Sequence, residues 1–216
     1  MDVQNYLFSD LLIFIKNFIL KKSFSFTIIL LIIVTSGCSV IQQASEMSTF
    51  GKCEFRLESL TNLRIAGVSI QGKSSLSQVS FNDAGKLSAA VLAGSLPMTF
   101  DLNLQAKNPN PALAAMNKLE WILLIDGNEM SRGILNQRIE IPPDAIKNFA
   151  IGVNFDLFKA LGGQSGNALL NFAFNLAGAG SKTTRVTLKA KPTIMFGTTP
   201  VEYPGYISIN HEFGAD

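Results

Sequence analysis

The stretch from Met98 to Gly127, MTFDLNLQAKNPNPALAAMNKLEWILLIDG, leaves few folds open to the chain. Phe100, Leu102, Leu104 and Ala106 alternate with Thr99, Asp101, Asn103 and Gln105, so successive side chains face core and solvent in turn. Period two is the pattern of a strand buried on one face. Asn108-Pro109-Asn110-Pro111 then ends the strand, because each proline lacks an N–H and biases the residue before it away from the helical region. The two asparagines can add Asx-turn bonds to their own backbone. The tetrapeptide reads as a rigid corner. It is also the candidate binding loop, Asn108, Pro109, Asn110 and Pro111, since loops on rigid scaffolds carry function. A second strand, Leu119 to Ile125, runs into Asp126-Gly127-Asn128, a strong hairpin signal. Trp121 lies in phase with Leu119, Leu123 and Ile125 and so belongs to the core.

The same alternation recurs along the chain. Phe55 to Glu58 opens the fold, and Leu63 to Ile70 reads as a second strand with Gly67 as a bulge. Ile134 to Ile141 is the expected return arm of the hairpin. Ile151, Val153, Phe155 and Leu157 mark another strand, and Thr184 to Ala190 is the cleanest alternation of all. Ile194 to Gly197 and Tyr206 to Asn210 supply the last strands. A short helix is expected through Lys86 to Leu92, capped by Asn82 or Asp83 and closed by Gly94. A second, within Leu161 to Gly180, places Leu169, Phe172, Ala173 and Leu176 on one face, with Leu170 and Phe174 as a further apolar stripe. About eight short strands with turn signals between them, and one or two short helices, point to a mainly β sandwich.

Strand, NPNP, a small-residue segment, LEWILLIDG and a following Gly133 together resemble the late embryogenesis abundant type 2 family, whose unit is often called the water-stress and hypersensitive-response domain. The resemblance extends more loosely over residues 55–213, including IPPDAIKNFAIGVNFDLF at Ile141 to Phe158. It implies an immunoglobulin- or fibronectin-like Greek-key β-sandwich with a helix in one connection. It also implies a stress-associated protective or scaffold role. No catalytic motif lies within the matching pattern.

The N-terminus is not read as fold. Lys21-Lys22 precede an apolar run, Phe26 to Val34, that ends in Thr35-Ser36-Gly37-Cys38. A basic region, a short apolar region and small residues before a cut site make a secretory signal. The run falls well short of the roughly 20 apolar residues that span a bilayer as a helix. Small residues directly before a cysteine resemble a bacterial lipobox, in which Cys38 is lipidated and becomes the mature N-terminus. Thr35 stands where leucine is usual, and Met1 to Leu20 lengthens the leader, so a later start codon and a retained anchor over residues 6–34 are the alternatives. The expected organisation is a signal peptide over 1–37, a tether over 38–53 and the sandwich domain over 54–213. With Cys38 acylated, Cys53 is a small buried hydrophobe; if the chain is cut elsewhere, a Cys38–Cys53 disulfide is the alternative. No acidic run follows Cys38, which favours a lipid anchor in the outer membrane facing the periplasm of the bacterial envelope.

Charge narrows the partners. Residues 1–37 take with them three of the 18 basic and two of the 16 acidic residues, so the mature chain is nearly neutral. With no Lys/Arg cluster either, electrostatic capture of nucleic acid is not expected. The single histidine, His211, cannot assemble a His/Cys metal site with one thiol. Gly163-Gln164-Ser165-Gly166-Asn167 has asparagine where a nucleophile elbow needs its last glycine, and reads as a helix start. Glu120 and Asp126 lie on one strand, about 20 Å apart, too far for a glycosidase pair. The expectation is a non-catalytic, lipid-anchored module without cofactor, meeting envelope proteins or lipids. The alternative is a carrier holding a small apolar molecule in a cleft between helix and sandwich, suggested by the two apolar stripes of the second helix.

Overall fold

The computed structural model describes residues 42, 44–179, 183–196 and 199–213. The leader, with Cys38 and the boundary at residue 37, lies outside them. The described chain falls almost wholly within one compact unit that begins at Ala44. Among the described residues, no helix is long and apolar enough to cross a membrane.

A helix over 44–50, α1, leads into β1 (Glu54–Ile65) and β2 (Val68–Ser69). α2 (Phe81–Leu92) crosses to β3 (Pro97–Lys107). The chain then forms β4 (Ala114–Met116), β5 (Lys118–Ile125), β6 (Asn128–Leu135), β7 (Ile139–Ile141) and β8 (Ile146–Asp156). Short α3 (Leu157–Ala160) and α4 (Gly166–Phe174) precede β9 (Thr184–Phe196), β10 (Thr199–Glu202) and β11 (Ile207–Phe213). One antiparallel sheet has the order β2-β1-β3-β8, the other β10-β9-β5-β6 with β11 also on β9, and β4 pairs with β7 alone. From β3 the chain visits β5 and β6 in the second sheet, then returns as β8 to lie beside β3. That return is a Greek-key connection.

The inward faces are the alternating apolar positions. Met98, Phe100, Leu102, Leu104 and Ala106 of β3, with Ile151, Val153 and Phe155 of β8, share one core with Leu119, Trp121, Leu123 and Ile125 of β5 and Val186, Leu188 and Ala190 of β9. The chain is therefore a β-sandwich. The β3–β8 ladder runs without a register shift from Pro97↔Asp156 to Lys107↔Ile146.

β1 behaves differently, and its sequence says why. Its buried residues are Leu57, Leu60, Leu63 and Ile65. Steps of three would throw alternate leucines into solvent on a regular strand. Bulges between Leu57 and Ser59, and between Thr61 and Arg64, absorb the extra residues and re-phase the strand. Residues 54–65 are thus one bulged strand. Gly67 is not a bulge: Ala66-Gly67 is a two-residue turn joining Ile65 to Val68.

Other expectations shift for local reasons. α2 is capped at Ser80, two or three residues before the asparagine and aspartate that the sequence suggested. Ser80 Oγ accepts the Asp83 N–H at 3.2 Å and donates to the Asp83 carboxylate at 2.8 Å, a reciprocal cap. The return arm of the hairpin is β6, at 128–135, set by the tight turn after Ile125; Ile139–Ile141 pairs instead with β4. In that turn Asp126 and Gly127 both have positive φ, 49° and 82°, a conformation that suits Gly127 because it lacks Cβ. Opposite Trp121 in the same hairpin stands Gly133, where a Cβ would lie 2.5 Å from the indole Cζ2. The glycine makes room for the ring. The segment expected as a tether is ordered from residue 44: Met47 and Phe50 of α1 are buried, and the Phe50 ring lies 5.1 Å from Phe55. Glu46 of the same helix pairs with Arg138 at 3.0 Å.

Candidate functional site

Asn108 is the polar centre of the NPNP corner and is fully buried. Its N–H donates to Ala145 O at 2.9 Å. Its side-chain Nδ2 donates to Ala112 O and Ile141 O at 2.9 Å and to Pro142 O at 3.2 Å. Its Oδ1 accepts from Asn110 N at 3.0 Å and from Asn110 Nδ2 at 2.9 Å. The amide therefore ties the end of β3 to the approach to β4 and the end of β7. No polar atom of it points outward. Pro109 and Pro111 are exposed and Asn110 is half-buried, so what the corner offers a partner is two proline rings.

Two titratable groups, Asp156 and Cys53, are tied into the fold. Asp156 caps α3 through Oδ1, which accepts from Phe158 N at 2.9 Å and Lys159 N at 3.3 Å. Its Oδ2 accepts from Ser95 Oγ at 2.7 Å and Leu96 N at 3.1 Å, so one carboxylate joins the end of β8 to the start of β3. Burial alone would raise this carboxyl; the bonds from Ser95, Lys159, Phe158 and Leu96 outweigh it and hold it below its ordinary range. Cys53 is a free, buried thiol that donates to Thr49 O at 3.5 Å, and burial pushes it up to about 11. His211 is exposed and its ring lies tilted against Phe213, with centroids 4.4 Å apart and planes at 59°. No three His, Cys, Asp or Glu side chains among the described residues are grouped to hold a metal. Ser165, centre of the failed elbow motif, caps α4 by accepting from Ala168 N at 3.3 Å.

Two surface features remain. The first is on α2, which buries only Leu87 fully. Phe81 is 97% exposed and Leu92 88% exposed. At about 100° per residue they fall within roughly 20° of each other, about 16 Å apart along the axis. Exposed Gly85 and Ser88 lie between them on the same face, and exposed Leu76 precedes the helix. Sequence reasoning missed this face because it began the helix at Lys86. The signal was present: with Ser80 as the cap, residues 81, 85, 88 and 92 form one side and Leu87 the other.

The second is a cleft between α4 and the β5–β6 hairpin, of about 210 Å³, lined chiefly by Ile125, Met130, Leu161, Leu169 and Phe172. The apolar surplus read from the helix is largely absorbed elsewhere, since Leu170 and Phe174 are buried in the core. The cleft lies on the Ala168–Phe172 side instead.

No protein-family model matches the sequence, and no curated protein matches it. Similar solved structures include the crystal structure of a protein from Archaeoglobus fulgidus, 13% identical, with 74% of this chain and 98% of that one covered at a TM-score of 0.32. A protein from Arabidopsis thaliana, solved in solution, is 15% identical over 55% of this chain and 72% of that one, with a TM-score of 0.35. A third solution structure, described as that of a late embryogenesis abundant (LEA) protein, is 10% identical and covers 84% of both chains at a TM-score of 0.32.

Proposed function

We propose that the chain is a non-catalytic lipoprotein of the bacterial envelope, anchored through Cys38, whose sandwich is a stress-protective or scaffold module that binds other envelope proteins. The observation that carries the binding role is the exposed apolar face of α2, with Phe81 and Leu92 standing almost free of the domain. Large side chains held out on a rigid helix are positioned to meet an apolar surface on a partner. The resemblance of residues 98–127 to the late embryogenesis abundant type 2 pattern supports the protective role. The order of basic, apolar and small residues before Cys38 supports the anchor.

Two measurements test this. Cys38→Ala should abolish acyl labelling and leave an unprocessed precursor; labelling that persists would end the anchor. Phe81→Ser with Leu92→Ser should remove co-precipitated envelope proteins while leaving the melting temperature unchanged. Unaltered partners in that variant would refute the binding role. A second reading, carriage of a small apolar molecule, is favoured by the cleft beside α4. Native mass spectrometry of protein extracted from its host should then find a co-purified ligand.

A further inference from the structure

We infer that the cleft between α4 and the β5–β6 hairpin binds a single-ring or indole-sized aromatic molecule that carries one hydrogen-bond donor. This rests on the carrier reading and goes further by naming the ligand chemistry. The floor consists of Ile125, Met130 and Leu169, all buried, and the walls of Leu161, Ala168 and Phe172. An apolar cavity of about 150 Å³ lined by Leu, Ile and Phe stays dry and takes benzene. At about 210 Å³ this cleft has room for a ring and one substituent, or for a small fused ring. Water gains little on a floor without polar groups. An aromatic ring gains contact with the Met130 thioether and the Phe172 ring.

The mouth sets the substituent. Asp126, Asn128 and Gln164 line it. Asp126 Oδ1 accepts the Arg185 N–H at 2.9 Å, which leaves Oδ2 free to accept. Asn128 Nδ2 reaches Asp126 O at 3.5 Å, so its own Oδ1 is also free, and the Gln164 amide makes no side-chain bond within the described chain. Spare acceptors beside a carboxylate favour a phenolic O–H or an indole N–H. They disfavour an aromatic acid, which Asp126 would repel.

The test is titration of the full-length chain in lipid nanodiscs with p-cresol, indole, toluene and benzoate, read by NMR against empty nanodiscs to remove partitioning. Saturable p-cresol and indole binding is expected, with p-cresol about three- to tenfold tighter than toluene for its one net hydrogen bond, and benzoate weakest. Ala168→Met, which fills the cleft, should weaken p-cresol at least tenfold, and Gln164→Ala should shrink its advantage over toluene. Intermolecular NOEs should reach the Met130 methyl and the Phe172 ring whether or not the filled variant folds. No saturation, NOEs confined to other residues, or unchanged binding to a folded Ala168→Met would overturn the site. Saturable binding without any co-purified ligand would refute carriage and leave the site standing.

Discussion

Replacing Asn108 by alanine removes the one side chain that holds the NPNP corner together. Its amide donates to three carbonyl oxygens and accepts from two donors of Asn110. The two N–H groups cannot serve three acceptors fully, so the amide is worth about four good bonds. At about 1 kcal/mol net each, the loss is about 4 kcal/mol, and more where a buried carbonyl finds no water. Urea unfolding followed by Trp121 fluorescence is the assay. With a slope of about 2 kcal/mol/M, the midpoint should fall by about 2 M with the slope unchanged. Asn108→Asp sharpens the argument because it keeps the shape and inverts the role, aiming a carboxylate oxygen at three carbonyls. Burial and those oxygens raise its folded pKa above the unfolded value near 4. The variant should therefore be least stable at neutral pH and recover as pH falls and the acid becomes a donor. A loss below about 1 kcal/mol for Asn108→Ala, or pH-independent stability for Asn108→Asp, would refute the corner as a structural staple and return Asn108 to the pool of ligand-binding groups.

Gly133→Ala should cost about 1–3 kcal/mol, since its Cβ would meet the indole of Trp121 at 2.5 Å, and near-UV circular dichroism should report the displaced ring. Asp156 is held below its ordinary range, so its contribution is present above pH 4 and lost as pH falls; Asp156→Asn should flatten the acid limb of the stability profile, and an unchanged limb would remove Asp156 from the account of acid unfolding. Cys53, pushed up to about 11 from 9.0, contributes stability that is full below pH 9 and lost as pH rises toward 11. Mass spectrometry at residue 53 should find it unlabelled by iodoacetamide at pH 8 in the folded chain and labelled in urea, and rapid labelling without urea would contradict its burial.

Strict alternation was legible in the sequence. β3, β5, β8 through Phe155 and the first half of β9 lie where period two put them, because each strand buries one face only, whereas Leu157, in phase with β8, opens α3 behind the Asp156 cap. β1 was not legible as one strand: its leucines step by three, and a bulge inserts a residue that no period announces. The two ladders from Ile134 to Ile141 were read as one arm although polar Asn136-Gln137-Arg138 divides them, since pairing partners are set by the turn at Asp126-Gly127 and by the NPNP corner rather than by the segment itself. α1 was missed because its apolar contacts, Met47 and Phe50, are too few to show a helical period within residues 39–51. Of the candidate site, Asn108 was found by its place directly before Pro109, at the start of the NPNP corner. Its direction, inward onto carbonyls from β7 and its flanks, is a long-range fact. The α2 face was readable only once its cap was placed at Ser80.

Whether α2 meets partners through Phe81 and Leu92 is tested most directly by site-specific photocrosslinking in intact cells, with the photoreactive residue at 81, at 92, or at exposed Asn148 on β8. The binding role predicts discrete protein adducts from 81 and 92 that are absent from 148. Adducts of equal pattern from all three positions, or none from 81 and 92, would contradict it.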